Sequence, residues 1–149
     1  MKILLVEDEV HKRDELCQCV KDVYGDLPEI VDSVRSAVLK VMHVDYDLII
    51  LDMALPTFSQ EGEGQSKGHD QAQGGIEVLR ALKSKSKVTK ILIVTQYTDF
   101  PIAGVKIKLK NAKKIIFEKY GQDVLGAILY KYKSKEIHQK IMSILRAIS

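Results

Sequence analysis

Short continuous apolar runs alternate along the chain with stretches in which apolar residues recur every three or four positions. Ile3-Leu4-Leu5-Val6, after Lys2, is unbroken rather than alternating, the pattern of a strand buried on both faces. Leu16, Val20 and Val23 then recur at helical spacing with charges between them, and Gly25 and Pro28 predict the helix end. Ile30-Val31 begins a weaker strand, followed by a short amphipathic helix carrying Val34, Val38, Leu39 and Met42. Asp47-Leu48-Ile49-Ile50-Leu51 is a second strongly buried strand, and Ile76, Leu79 and Leu82 mark a helix opened by Gly74-Gly75. Ile91-Leu92-Ile93-Val94 is again a buried strand, and Ile115-Ile116-Phe117 is read as one more. A last helix starts at a Ser134 cap and carries Ile137, Ile141, Ile144, Leu145 and Ile148, with Glu136 placed to suit its dipole. Strands alternating with helices imply parallel βαβ units, hence an α/β sheet covered on both faces, with its chemistry at the carboxyl ends of the strands.

Three stretches fit this scheme less well. The 57–73 segment is polar, rich in Gly, Gln and Ser, and longer than ordinary connections, so it reads as an insertion hanging over the strand ends. In 101–110, Val105, Ile107 and Leu109 alternate with lysines as in a strand, while Ile102, Val105, Leu109 and Ala112 suit a helix face. The α/β alternation favours the helix. A second insertion is read at 120–133, where Val124, Leu125, Ile128 and Leu129 suggest a short extra helix before the last one.

Composition adds bounds. The chain has 149 residues, 46% of them hydrophobic and 29% charged, which suits one globular domain spanning 1–149. No apolar run reaches the roughly 20 residues that span a bilayer, and Glu7-Asp8-Glu9 follows the first apolar run at once, unlike a signal peptide. A cytoplasmic location is expected. Cys17 and Cys19 point to different sides of a helix and read as free thiols. The net charge of +3 hides an asymmetry: beyond residue 100 the only acids are Glu118, Asp123 and Glu136, against Lys106, Lys108, Lys110, Lys113, Lys114, Lys131, Lys133, Lys135 and Lys140. That field suits an acidic partner or a solvated surface. Sparse aromatics and the lack of a binding motif argue against nucleic acid.

The polar residues at the strand ends carry the candidate chemistry. Glu7-Asp8 follows the first strand, Asp52 the third, Thr95 ends the fourth, and Lys119 follows the expected fifth. In a parallel sheet these meet at one edge. Three carboxylates held together repel one another unless a cation joins them, and Mg²⁺ with its oxygen ligands suits such a set. Lys119 would add a point charge and Thr95 a hydroxyl donor for an anion beside the metal. Asp52, on the most buried strand and followed by Met53 and Ala54, is the natural nucleophile toward phosphorus. In the 57–73 loop, Glu61, Glu63, His69 and Asp70 match no recognised metal spacing.

The run Leu4-Leu5-Val6-Glu7-Asp8-Glu9, then Asp47 through Asp52-Met53-Ala54-Leu55-Pro56, then Ile93-Val94-Thr95, then Phe117-Glu118-Lys119, resembles the response-regulator receiver family over nearly the whole chain. The resemblance implies a flavodoxin-like, doubly wound (βα)5 sheet in three α/β/α layers. It implies Mg²⁺ held by Glu7, Asp8, Asp52 and the carbonyl of Ala54. Asp52 would accept a phosphoryl group from a sensor histidine kinase or phosphotransfer protein, with Thr95 and Lys119 holding the phosphoryl oxygens. It also implies signalling to a downstream protein through the fourth helix, fifth strand and last helix, with no membrane role.

The chain departs from that pattern in places. Gln96 stands where a small residue usually follows the threonine, with Tyr97 next to it as a shield against water. Tyr120 stands where proline follows the lysine, and Ile116 at the aromatic switch position. The expectation is a stand-alone phosphoacceptor switch, not an enzyme, whose output runs through protein contacts or homodimerisation. Its rival is a receiver-like interaction module that is not phosphorylated. An aspartyl phosphatase or mutase is disfavoured, because Ala54 sits where such enzymes carry a second acid.

Overall fold

The computed structural model describes residues 1–56 and 74–148; the 57–73 loop, with Glu61, Glu63, His69 and Asp70, lies outside the described residues. Five strands form a parallel sheet: β1 (Ile3–Val6), β2 (Glu29–Val31), β3 (Leu48–Leu51), β4 (Lys90–Thr95) and, later in the chain, β7 (Asp123–Leu129). Their order across the sheet is β2-β1-β3-β4-β7. The helices are α1 (Val10–Tyr24), α2 (Val34–His43), α3 (Gly74–Ser84), α4 (Ala112–Tyr120) and α5 (Lys135–Ala147). This is the expected flavodoxin-like α/β architecture.

The period of the strands divides the core in two. Leu4, Val6, Ile49, Leu51, Ile91 and Ile93 face a cluster built with Val34, Ala37 and Val41 of α2, Leu79 and Leu82 of α3, and Ile116 of α4. Ile3, Leu5, Leu48, Ile50, Leu92 and Val94 face the other side, packing on Leu16, Cys19 and Val20 of α1 and Ile137, Ile141 and Leu145 of α5. A strand that feeds both clusters has no position to spare for a polar residue, which is why these runs are unbroken. Both thiols are free; Cys19 is buried, and burial pushes it up to about 12. No helix among the described residues is long and apolar enough to cross a membrane.

The segment after β4 corrects three expectations. Residues 101–110 are not a helix. An antiparallel hairpin forms instead, pairing β5 (Asp99–Ile102) with β6 (Val105–Lys108). Its two-residue turn places Ala103 at φ 52° and Gly104 at φ 80°, the left-handed pair that closes a tight hairpin. Phe100 and Ile102 are buried, while Lys106 and Lys108 face solvent, so the alternation with lysine was a true strand pattern. Lys110, Lys113 and Lys114 continue that basic, exposed surface.

Ile115-Ile116-Phe117 is likewise not a strand. It lies inside α4, where Ala112, Ile116 and Tyr120 are buried at four-residue intervals and Phe117 is 63% exposed. The 120–133 stretch is not an inserted helix, because the fifth strand of the parallel sheet lies within it. The pairing of β4 with β7 matches Ile91 to Val124 but Leu92 to Gly126, leaving Leu125 as a bulge. That extra residue sets Val124, Leu125, Ile128 and Leu129 at spacings that imitate a helix face. Gly126 then faces α5 closely: a Cβ there would lie 2.7 Å from Ile144 Cδ1.

Gln122 holds the start of β7. Its Oε1 accepts from the Thr89 N–H at 2.8 Å, and its Nε2 donates to the carbonyls of Lys87 at 2.7 Å and Tyr120 at 2.9 Å. Replacing it leaves three buried or half-buried backbone groups unpartnered. We expect Gln122→Ala to cost about 1–3 kcal/mol in urea unfolding; an unchanged midpoint would contradict this anchoring. Gly75, at the start of α3, has no room for a side chain: a Cβ would meet Asp52 O and Met53 Cα at 2.8 Å. Gly75→Ala should therefore destabilise by about 1–3 kcal/mol, overriding the ~0.5–1 kcal/mol that alanine gains inside a helix. A midpoint at or above wild type would show that the contact relaxes freely.

Candidate functional site

The order of the sheet puts β1 beside β3 and β3 beside β4, so the residues after their carboxyl ends meet. Glu7 and Asp8 follow β1, Asp52 follows β3, and Thr95 closes β4. One carboxylate oxygen from each of Glu7, Asp8 and Asp52 lies within 4.8 Å of the others. Glu7 and Asp52 are buried, at 1% and 4% exposure, and Asp8 is half-buried. Thr95 is fully buried, and its hydroxyl oxygen accepts from the Tyr97 N–H at 3.4 Å. The backbone fixes Asp52 further: its N–H reaches Val6 O at 3.2 Å, and its Oδ1 accepts from the Ala54 N–H at 3.1 Å.

Lys119 does not join this group. It is exposed in the last turn of α4, and its carbonyl accepts from Lys83 Nζ at 2.9 Å. Because α4 leads into the amino end of β7, Lys119 lies at the opposite edge of the sheet from Asp52. One seven-residue strand, about 20 Å long, separates the two edges. Tyr120 and Ile116 share α4 with it, so, contrary to what the sequence implied, Tyr120 does not follow a strand end and Ile116 does not lie within a strand. At the true end of the fifth strand stands Tyr130, whose N–H bonds Thr95 O at 2.8 Å.

The cation of the site is Lys12, which the sequence reading missed. It is fully buried, with Nζ 2.7 Å from Glu7 Oε1 and 3.1 Å from Asp52 Oδ2. Nζ also donates to Gln96 Oε1 at 3.0 Å and sits 5.7 Å from the centre of the Tyr130 ring. The local sequence explains its placement. Glu9 caps α1, accepting from the His11 N–H at 3.0 Å and the Lys12 N–H at 2.7 Å. Helical side chains lean toward the amino end, so a lysine in the first turn reaches back over the strand ends. A signal was present: Lys12 lies four residues before Leu16 on the buried stripe of α1, where a lysine is out of place. Beyond it, the Tyr130 hydroxyl donates to Glu15 Oε1 at 2.6 Å. A cavity of about 270 Å³ is lined by Glu9, His11, Gln96, Tyr130 and Tyr132.

An all-oxygen set of this size fits a hard divalent cation. Burial, and next the negative charge of Asp52, push the Glu7 carboxyl up to about 8, against the opposing pull of Lys12. Glu7 Oε1 has no other hydrogen-bond partner among the described residues. The folded protein thus keeps a proton on Glu7 that an unfolded chain releases near 4.5. Stability from this group is full below pH 4.5 and is lost as the pH rises through about 8. In EDTA, unfolding free energy should fall over that window, and Glu7→Gln should flatten the slope; an unchanged slope would contradict the assignment.

No family model matches the chain. The response regulator TrrA of Thermotoga maritima, solved in complex with Mg²⁺ and BeF, shares the fold at a TM-score of 0.58 and 21% identity, covering 97% of this chain and 99% of its own. A response regulator of Colwellia psychrerythraea superimposes at a TM-score of 0.63 with 18% identity, covering 98% of this chain and 97% of its own. In sequence, the Detocs response regulatory protein DtcB of Vibrio alginolyticus is 35% identical, over 97% of this chain and 99% of the relative. Such identity across nearly the full length of both sequences is kinship rather than a shared architecture alone, and this chain belongs to the response-regulator receiver family.

Proposed function

We propose that the protein is a phosphoacceptor switch in which Asp52 receives a phosphoryl group from the phosphohistidine of a sensor kinase or phosphotransfer protein. The observation that carries this reading is the meeting of Glu7, Asp8 and Asp52 within 4.8 Å at the carboxyl edge of the sheet. Glu7, Asp8, Asp52 and the Ala54 carbonyl would hold Mg²⁺, which when bound neutralises charge that builds on the transferring group. One Asp52 carboxylate oxygen attacks phosphorus. The O–P bond forms as the bond from phosphorus to the donor's leaving group breaks, and its electron pair departs with that group. A carboxylate nucleophile, unlike a hydroxyl, needs no base to activate it. Thr95, which closes β4, would donate its hydroxyl proton to a phosphoryl oxygen. Lys119 has no part in this, given its place at the far edge.

Full-length alignment with a response regulator supports reading 1–149 as one receiver domain; its output would then run through protein contacts. A phosphoryl group adds about −1.5 to −2 of charge at the strand ends, enough to rearrange what pairs there.

One observation favours a second reading, a receiver that works without phosphorylation. Both oxygens of Asp52 are already engaged, Oδ1 by the Ala54 N–H and Oδ2 by Lys12. The two readings separate by intact mass after incubation with Mg²⁺ and acetyl phosphate. The switch predicts the gain of one phosphoryl group by wild type and none by Asp52→Asn. No gain by wild type would leave the interaction module standing instead, and a gain that persists in Asp52→Asn would overturn the assignment of Asp52.

A further inference from the structure

We propose that Lys12 is the residue that holds the phosphoryl group on Asp52, a task delivered here from the first turn of α1 rather than from the end of the fifth strand. The inference rests on the phosphoacceptor reading above and adds to it the cation that reading lacks. Three observations converge. The end of β7 offers Tyr130, which has no positive charge, and Lys131 beyond it is exposed. Lys119 is at the opposite edge. Lys12, fully buried, already lies 3.1 Å from Asp52 Oδ2, so any phosphoryl oxygen attached to Asp52 comes within its reach.

The ammonium is also set up to change partners. It now divides its three protons among Glu7 Oε1, Asp52 Oδ2 and Gln96 Oε1. A phosphoryl group offers three strong acceptors and more charge than the carboxylate it replaces, so charge-assisted bonds to it displace the weakest of these, the neutral amide of Gln96. Gln96 opens the loop between β4 and the β5–β6 hairpin. The same lysine therefore binds the incoming group and frees the loop beside it.

The test follows phosphorylation by acetyl phosphate with Mg²⁺, read by intact mass over time, in wild type, Lys12→Met and Lys119→Gln. Methionine keeps most of the apolar stem and removes the ammonium. We expect Lys119→Gln to match wild type and Lys12→Met to be slowed roughly tenfold or more, as when one preorganised charge is removed from a transferring group. A Lys12→Met rate equal to wild type overturns the inference and leaves the phosphoacceptor reading intact. A wild type that gains no phosphoryl group sinks that reading, and this one with it. A merely structural lysine would lower the melting midpoint without slowing transfer in the folded protein. Should Lys12→Met fail to melt cooperatively, the wild-type protein carries the test. Its Lys12 side-chain ¹⁵N signal should shift on adding Mg²⁺ and beryllofluoride while that of Lys119 stays still, and a Lys12 signal that does not move overturns the inference.

Discussion

Taking an ammonium out of water costs several kcal/mol unless opposite charges and hydrogen bonds replace the lost solvent. Lys12 meets that demand at a single place, the notch between the ends of β1 and β3, where Glu7 and Asp52 reach it from two sides. Each neighbouring feature follows from this requirement. The two strands must be adjacent, α1 must begin three residues after β1 with its first turn held by Glu9, and β4 must lie next to β3 so that Gln96 completes the shell. The carboxylates in turn depend on the lysine, since Lys12 opposes the burial and the Asp52 charge that push the Glu7 carboxyl up.

The site accordingly has a resident cation before any metal arrives. Asp52 is paired, and Glu7, pushed up to about 8, holds a proton that a divalent ion would displace. Metal and ammonium would not be interchangeable: an ion would draw on Glu7, Asp8 and Asp52 together, whereas Lys12 pairs with Glu7 and Asp52. That difference leaves Lys12 free to follow charge that appears on Asp52.

Elements buried on both faces were legible in the sequence because nothing polar interrupts them; β1, β3 and β4 are of this kind, and α5 announces itself by its Ser134 cap and apolar stripe. So were the acids at the strand ends, which need only the parallel order to meet. What failed was the stretch from 99 to 130, where two local patterns pointed the wrong way. A β-branched pair before an aromatic made Ile115-Ile116-Phe117 look like a strand although its buried positions recur every four residues. The bulge at Leu125 disguised β7 as a helix. Misplacing that strand moved the lysine too: Lys119 looked like the residue after the fifth strand only because the fifth strand was set about ten positions early. Lys12 was overlooked for the opposite reason, being a charge on the apolar side of a helix, where its partners are distant in sequence and only the fold reveals them.

A crystal structure with Mg²⁺ and beryllofluoride tests this account most directly. It predicts beryllofluoride attached to an Asp52 oxygen, the metal among Glu7, Asp8 and Asp52, and Lys12 Nζ within hydrogen-bond distance of a fluorine. Beryllofluoride held by another lysine with Lys12 turned away, or an Asp52 carboxylate still paired with Lys12 and unmodified at saturating beryllofluoride, would contradict it.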